Sequence, residues 1–169
     1  ISFLLVAVAI MIGLGSGRLV LASLITLLMG FIWTLGFAIA YIGYLNLVSV
    51  SFAVLFIGLG IDYAIQFCLR YREERVAGFG HNEAIVRTAK GLGVSLRLCS
   101  VAAAIGFYSF LPTAYTGVSE LGLIAGTGML LNLFAILTVL PALVTLMPLK
   151  KDRLKEFKLD RSLYLVPYK

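Results

Sequence analysis

Residues 58–67 read Gly58-Leu59-Gly60-Ile61-Asp62-Tyr63-Ala64-Ile65-Gln66-Phe67, which sets one carboxylate in the middle of an apolar run. The run that contains it, residues 46–69, has the length of a bilayer-crossing helix, which needs about 20 apolar residues. Asp62 stands eight residues before Arg70, so a rise of about 1.5 Å per residue places it about 12 Å inside that end of the helix. A short side chain at that depth cannot reach the interface. Inserting an aspartate at a helix centre costs about 2.5–3.5 kcal/mol, and such residues face a bundle interior or a wet cavity. Steps of three and four put Ser51, Leu55, Gly58, Asp62 and Gln66 on one face, a semi-polar stripe along an otherwise apolar helix. Ser51, Gly58, Gly60 and Gln66 are the small and polar residues expected to support the carboxylate, and Tyr63 offers a hydroxyl beside it. Proton exchange is the chemistry natural to a lone carboxyl in such a span.

The rest of the chain repeats the apolar pattern without the acid. Hydrophobic residues make up 61% and charged residues 13% of the 169, and the mean hydropathy is +1.03, well past an ordinary soluble domain. Five stretches approach or exceed a membrane span: 1–16, 19–42, 46–69, 93–112 and 119–148. The expected class is therefore all-α, a polytopic helical membrane protein. Ile1 opens inside an apolar run with no basic segment before it and no cleavage site, so that run does not read as a signal peptide and the chain is expected to be a piece of a longer one. Asn46 can cap the third span, and Asn82 a short interfacial helix over residues 82–90, with Ala84, Ile85 and Ala89 as its apolar stripe. Residues 150–169 form a basic tail or linker.

The charge pattern reports topology. The net charge is +6, yet the cations fall in turns and tail, without a basic face of interleaved aromatics, which argues against a nucleic-acid partner. Arg18, the group Arg70, Arg72, Arg75, Arg87, Lys90 and Arg97, and the tail cations from Lys150 to Lys169 all lie on one side. The alternate turns 41–46 and 112–119 contain no Lys or Arg, so the basic side reads as cytoplasmic.

Other chemistries find less support. Cys68 and Cys99 lie in apolar segments without Cys or His companions, which supports neither a disulfide nor a metal site and suits small core residues. His81 has no ligand companion and, like Trp33, carries no assigned role. Glu120 starts the last span and suits a helix N-terminus. Gly122 and Gly126 have the small-xxx-small spacing of close helix packing, and Asn132 is a minor polar candidate. An intramembrane aspartyl protease needs two carboxylates sharing a proton, and no second deep acid exists here. No selectivity-filter loop or ring of charge suggests a channel.

Taken together, Trp33-Thr34-Leu35-Gly36, Leu45-Asn46-Leu47, Gly58–Tyr63, Arg70-Tyr71-Arg72-Glu73-Glu74 and Leu140-Pro141-Ala142-Leu143 occur in an order that resembles the resistance-nodulation-division superfamily, in its MMPL-type branch of lipid exporters, with hopanoid exporters the most similar. The resemblance covers nearly all of residues 1–149. It implies that the spans are the second to sixth of twelve helices, with a periplasmic domain before them and a pseudo-symmetric half after. It implies that Asp62 and Tyr63 are half of a proton relay, with protons as coupling ion and no cofactor. The implied partners are membrane lipids, a hydrophobic or lipid substrate, the other half of the transporter and its periplasmic domains, and a homo-oligomer is compatible with this. The implied location is the bacterial inner membrane. Two other functions share such a membrane domain: sterol or lipid sensing without pumping, and an auxiliary role in protein export.

Overall fold

A computed structural model describes residues 16–43 and 51–146. They form four α-helices: α1 (Gly17–Ile42), α2 (Phe52–Val76), α3 (His81–Tyr108) and α4 (Thr116–Leu146). Each is long and apolar enough to cross a membrane, which makes the chain a multi-pass helical membrane protein. Their lengths of 25 to 31 residues correspond to about 38–46 Å, against a hydrocarbon core of about 30 Å. All of the expected span 1–16 except Ser16, the Asn46 cap and the tail 150–169 lie outside the described residues.

The interfacial helix expected over 82–90 is not a separate element. Residues 81–108 are one continuous helix, capped by Gly80 and not by Asn82, which lies in its first turn. Gly91 and Gly93 weaken a helix by about 1 kcal/mol each but do not stop one. The charged residues Glu83, Arg87 and Lys90 simply occupy the end of a helix longer than the bilayer core. Ala84, Ile85 and Thr88, on that same end, are buried against the bundle.

The turn between α2 and α3 is four residues long, and Gly78 makes it with φ +101°, a conformation open to glycine at little cost. Gly43 closes α1 in the same way, at φ 81°, with its N–H bonded to the Ile39 carbonyl. Both α2 and α4 pack against all three other helices, while α1 and α3 do not touch each other. The bundle is thus a quadrilateral with α2 and α4 across its short diagonal. Side-chain hydroxyls within the spans mostly fold back on their own helix: Thr26 on the Ala22 carbonyl, Thr34 on Gly30 and Thr88 on Ala84. That satisfies the polar atom where no water is at hand.

Candidate functional site

α2 presents two unlike faces. Phe52, Phe56, Gly60, Tyr63, Phe67 and Tyr71 are buried, and their steps of three and four make one inward stripe. Ser51, Leu55, Gly58, Asp62 and Gln66 are all exposed, so the stripe read from the sequence points away from the other three helices. Ser51 stands at the N-cap position, just before the first turn. Gly58 has open space where a Cβ would be. Gly60 does not share this face. A Cβ there would lie 2.8 Å from Leu27 Cδ1 and 3.1 Å from Asn132 Nδ2.

Tyr63 follows Asp62 in sequence but turns inward, where only 7% of it is exposed. Its hydroxyl shares a side-chain hydrogen bond with Ser100, and Cys99 and Asp62 are its charged or ionisable neighbours. Ser100 is fully buried and donates to the Met129 carbonyl of α4 at 2.9 Å. A polar chain therefore runs from α2 through α3 to α4 at the depth of Asp62. Hydroxyls in series of this kind can accept and donate in turn.

A second polar contact crosses the bundle diagonal. Asn132 is fully buried on α4 and donates from Nδ2 to the Gly60 carbonyl at 3.3 Å. Its Oδ1 has no hydrogen-bond partner among the described residues. It sits against Gly30 of α1, where an added Cβ would lie 3.1 Å from it.

Gly122 and Gly126 face α3. A Cβ on Gly122 would lie 2.5 Å from the Phe107 carbonyl oxygen, and one on Gly126 would meet the Tyr108 ring at 2.6 Å. The Tyr108 hydroxyl is 3.0 Å from Thr127 Oγ1. Cys68 is buried beside Ser23, with 3.4 Å between Sγ and Oγ. Cys99 is exposed, which corrects its reading as a core residue: it sits on an open flank of α3, still near Tyr63 of α2.

At the other end of α2, His81 does more than the sequence suggested. Its Nδ1 is 2.7 Å from the hydroxyl of the buried Tyr71, and its Nε2 is 3.4 Å from the Thr145 carbonyl. It joins the ends of α2, α3 and α4. Arg70 pairs with Glu73 at 3.0 Å and Glu74 at 2.9 Å, while Arg87 pairs with Glu83 and lies over the Phe79 ring at 3.8 Å. The Arg-Tyr-Arg-Glu-Glu run thus combines an exposed ion pair with a buried anchor.

Two residues at the level of Asp62, Ser100 and Asn132, complete the site. Nothing in the local sequence distinguishes Ser100 from other small residues of its span. Asn132 did carry a signal, as an amide in an apolar helix, but its partner lies 72 residues away.

Comparison with known proteins gives this arrangement a relationship. The MMPL family model matches residues 1–158. The hopanoid transporter HpnN of Burkholderia multivorans is 45% identical over 146 residues, 86% of this chain and 17% of that protein. HpnN of Rhodopseudomonas palustris is 44% identical over 134 residues, 79% of this chain and 15% of the relative. A membrane protein of Methanocaldococcus jannaschii is 31% identical over 138 residues, 78% of this chain and 35% of that protein. The chain spans less than a fifth of either HpnN protein and matches the family along nearly its whole length, and it belongs to the MMPL family of the resistance-nodulation-division superfamily.

Proposed function

We propose that this chain is part of the membrane domain of a proton-driven exporter of a hydrophobic lipid, with a hopanoid-like, rigid and largely apolar molecule as the substrate class. The observation that carries the reading is the split on α2: Asp62 lies on the exposed face while Tyr63, next to it, is buried against Ser100. A carboxylate in a span needs a partner, and the four described helices offer Asp62 little beyond Tyr63. The partner on this reading is a second, pseudo-symmetric half that covers the outward face. The names of the two HpnN relatives support the substrate class.

Asp62 takes a proton from the periplasmic side and releases it inward, so the bundle centre alternates between neutral and charged. Each proton crossing the membrane supplies about 2.3 kcal/mol per 100 mV. The change in charge favours different positions of α2 against the opposite half, and that movement is passed to the periplasmic part that carries the lipid. The protein resides in the bacterial inner membrane with its Lys- and Arg-rich turns on the cytoplasmic face. On this reading residues 1–149 belong to the transmembrane unit and residues 150–169 to a basic cytoplasmic tail or linker.

The test is lipid transport, with accompanying proton flux, by an Asp62→Asn variant of the full-length protein in proteoliposomes. Asparagine keeps the shape and removes the titration, so transport is expected to fall at least a hundredfold with the protein still folded. Wild-type transport by this variant sinks the relay. Lipid binding with no proton flux in the wild type turns the reading toward a lipid sensor.

A further inference from the structure

Asn132 is an expensive residue where it stands. It is fully buried where α1, α2 and α4 meet, and only half of its amide is satisfied: Nδ2 bonds the Gly60 carbonyl at 3.3 Å and Oδ1 bonds nothing among the described residues. An unpaired buried polar atom weakens a fold, and hydrocarbon of the same shape in its place is often neutral or stabilising. Stability therefore does not account for an amide at this position.

What an amide does here, and a leucine cannot, is hold the Gly60 carbonyl. Gly60 stands two residues before Asp62 on the opposite face of the same helix. That carbonyl also serves its own helix as an i to i+4 acceptor, so the bond from Asn132 is an addition that ties α2 to α4 at the depth of the carboxylate. At 3.3 Å it is at the long end for N–H···O, and a slide of α2 on the order of an ångström breaks it. Gly30 and Gly60 provide the room, since a Cβ on either would lie 3.1 Å from the amide.

We propose that Asn132 is a positioning residue for transport: it latches α2 to α4 through the Gly60 carbonyl, and the latch opens when α2 moves. The unpaired Oδ1 marks the described arrangement as one of two, held without being locked. This rests on the proton-driven reading for what moves α2, but the latch is scored separately. The ionisable groups near it are few. Between Arg18 and Tyr41 α1 has none, α4 has none from Leu121 to Leu146, α2 contributes Asp62 on its far face and Tyr63, and α3 contributes Cys99 on its exposed flank.

The experiment uses the full-length protein reconstituted with a hopanoid-like lipid and reads transport, apparent melting temperature and pH profile together. Asn132→Leu fills the site with hydrocarbon. It is expected to melt at or above the wild-type temperature while transport falls at least tenfold. Wild-type transport overturns the latch. So does a lowered melting temperature or failure to accumulate in the membrane, because Asn132 is then structural glue. Asn132→Asp supplies a second readout, since only its neutral acid form keeps a donor for the Gly60 carbonyl. Relative to wild type at each pH, its transport is expected to approach normal at the acid end and collapse toward the alkaline end. A profile parallel to wild type overturns the proposal. An inactive Asp62→Asn beside a fully active Asn132→Leu removes the latch alone, and the reverse removes the proton reading alone.

Discussion

The inward face of α2 has Phe52, Phe56, Gly60, Tyr63 and Phe67, and the outward face has Leu55, Gly58, Asp62 and Gln66. In water the polar face would be the finished one and the aromatic face the one seeking cover. Inside a bilayer the order reverses, because lipid tails tolerate Leu and Phe on either side while a carboxylate must find a partner. The inward face is therefore closed by packing, and the outward face is the one that still has chemistry to do. The two glycines separate these roles most sharply. Gly60→Val drives a branched side chain into Leu27 and Asn132, and overpacking of this kind is expected to cost about 3 kcal/mol. Gly58→Val meets nothing within 4 Å and is expected to stay within about 1 kcal/mol of wild type, helped by the better helix propensity. Thermal unfolding of both variants in detergent makes the comparison. Equal losses would mean that the outward face is as tightly packed as the inward one, and the contrast would fall.

The next effect probes the buried side of the Asp62–Tyr63 pair. Ser100→Ala removes the donor to the Met129 carbonyl and the partner of Tyr63, which is expected to cost about 1–2 kcal/mol because a buried phenol is left short of a partner. Tyr63→Phe in the same background then adds less than it does alone, since the two changes share one interaction. A double-mutant cycle on melting curves reads this directly. Additive losses would show that Tyr63 and Ser100 are only neighbours, and the polar chain from α2 to α4 would end at Tyr63.

The periodicity that placed Ser51, Gly58, Asp62 and Gln66 together was legible in the sequence because Asp62 and Gln66 are rare polar residues in an apolar span. Which way that stripe points was not. Hydropathy distinguishes inside from outside only when the outside is water, and here Leu55 and Phe56 are equally at home on either face, though one is exposed and the other buried. The same blindness hid the sorting of Gly58 from Gly60. The end of α3 was misread for a different reason: Asn82, Glu83 and the charges up to Lys90 look like a separate surface helix, and Gly91 and Gly93 look like its end. Only the continuous packing of Ala84, Ile85 and Thr88 against the bundle shows that the helix never stops. Asn132 was visible as a polar residue, but its value depends on a carbonyl 72 positions away, and no local pattern encodes a backbone acceptor.

The contrast between the faces persists to the C-terminal end of α2, where its two representatives are adjacent in sequence. Tyr71 is fully buried and bonds His81 at 2.7 Å, so Tyr71→Phe is expected to cost about 1 kcal/mol, the value of one hydrogen bond whose partner can still find water. Arg70 faces outward with its side chain 48% exposed; its pair with Glu73, 53% exposed, is screened by solvent, and its pair with Glu74, 12% exposed, much less so. Arg70→Ala is expected to cost about 0.5 kcal/mol at low salt. The two losses are separated by their salt dependence more than by their size. Raising the ionic strength to about 1 M shortens the screening length to about 3 Å, which should remove the Glu73 share of the Arg70 effect and leave that of Tyr71. An Arg70→Ala loss that high salt does not reduce at all would mean that even the Arg70–Glu73 pair on the outward face is covered at this end, and the cover over Asp62 would then extend a further two turns along α2.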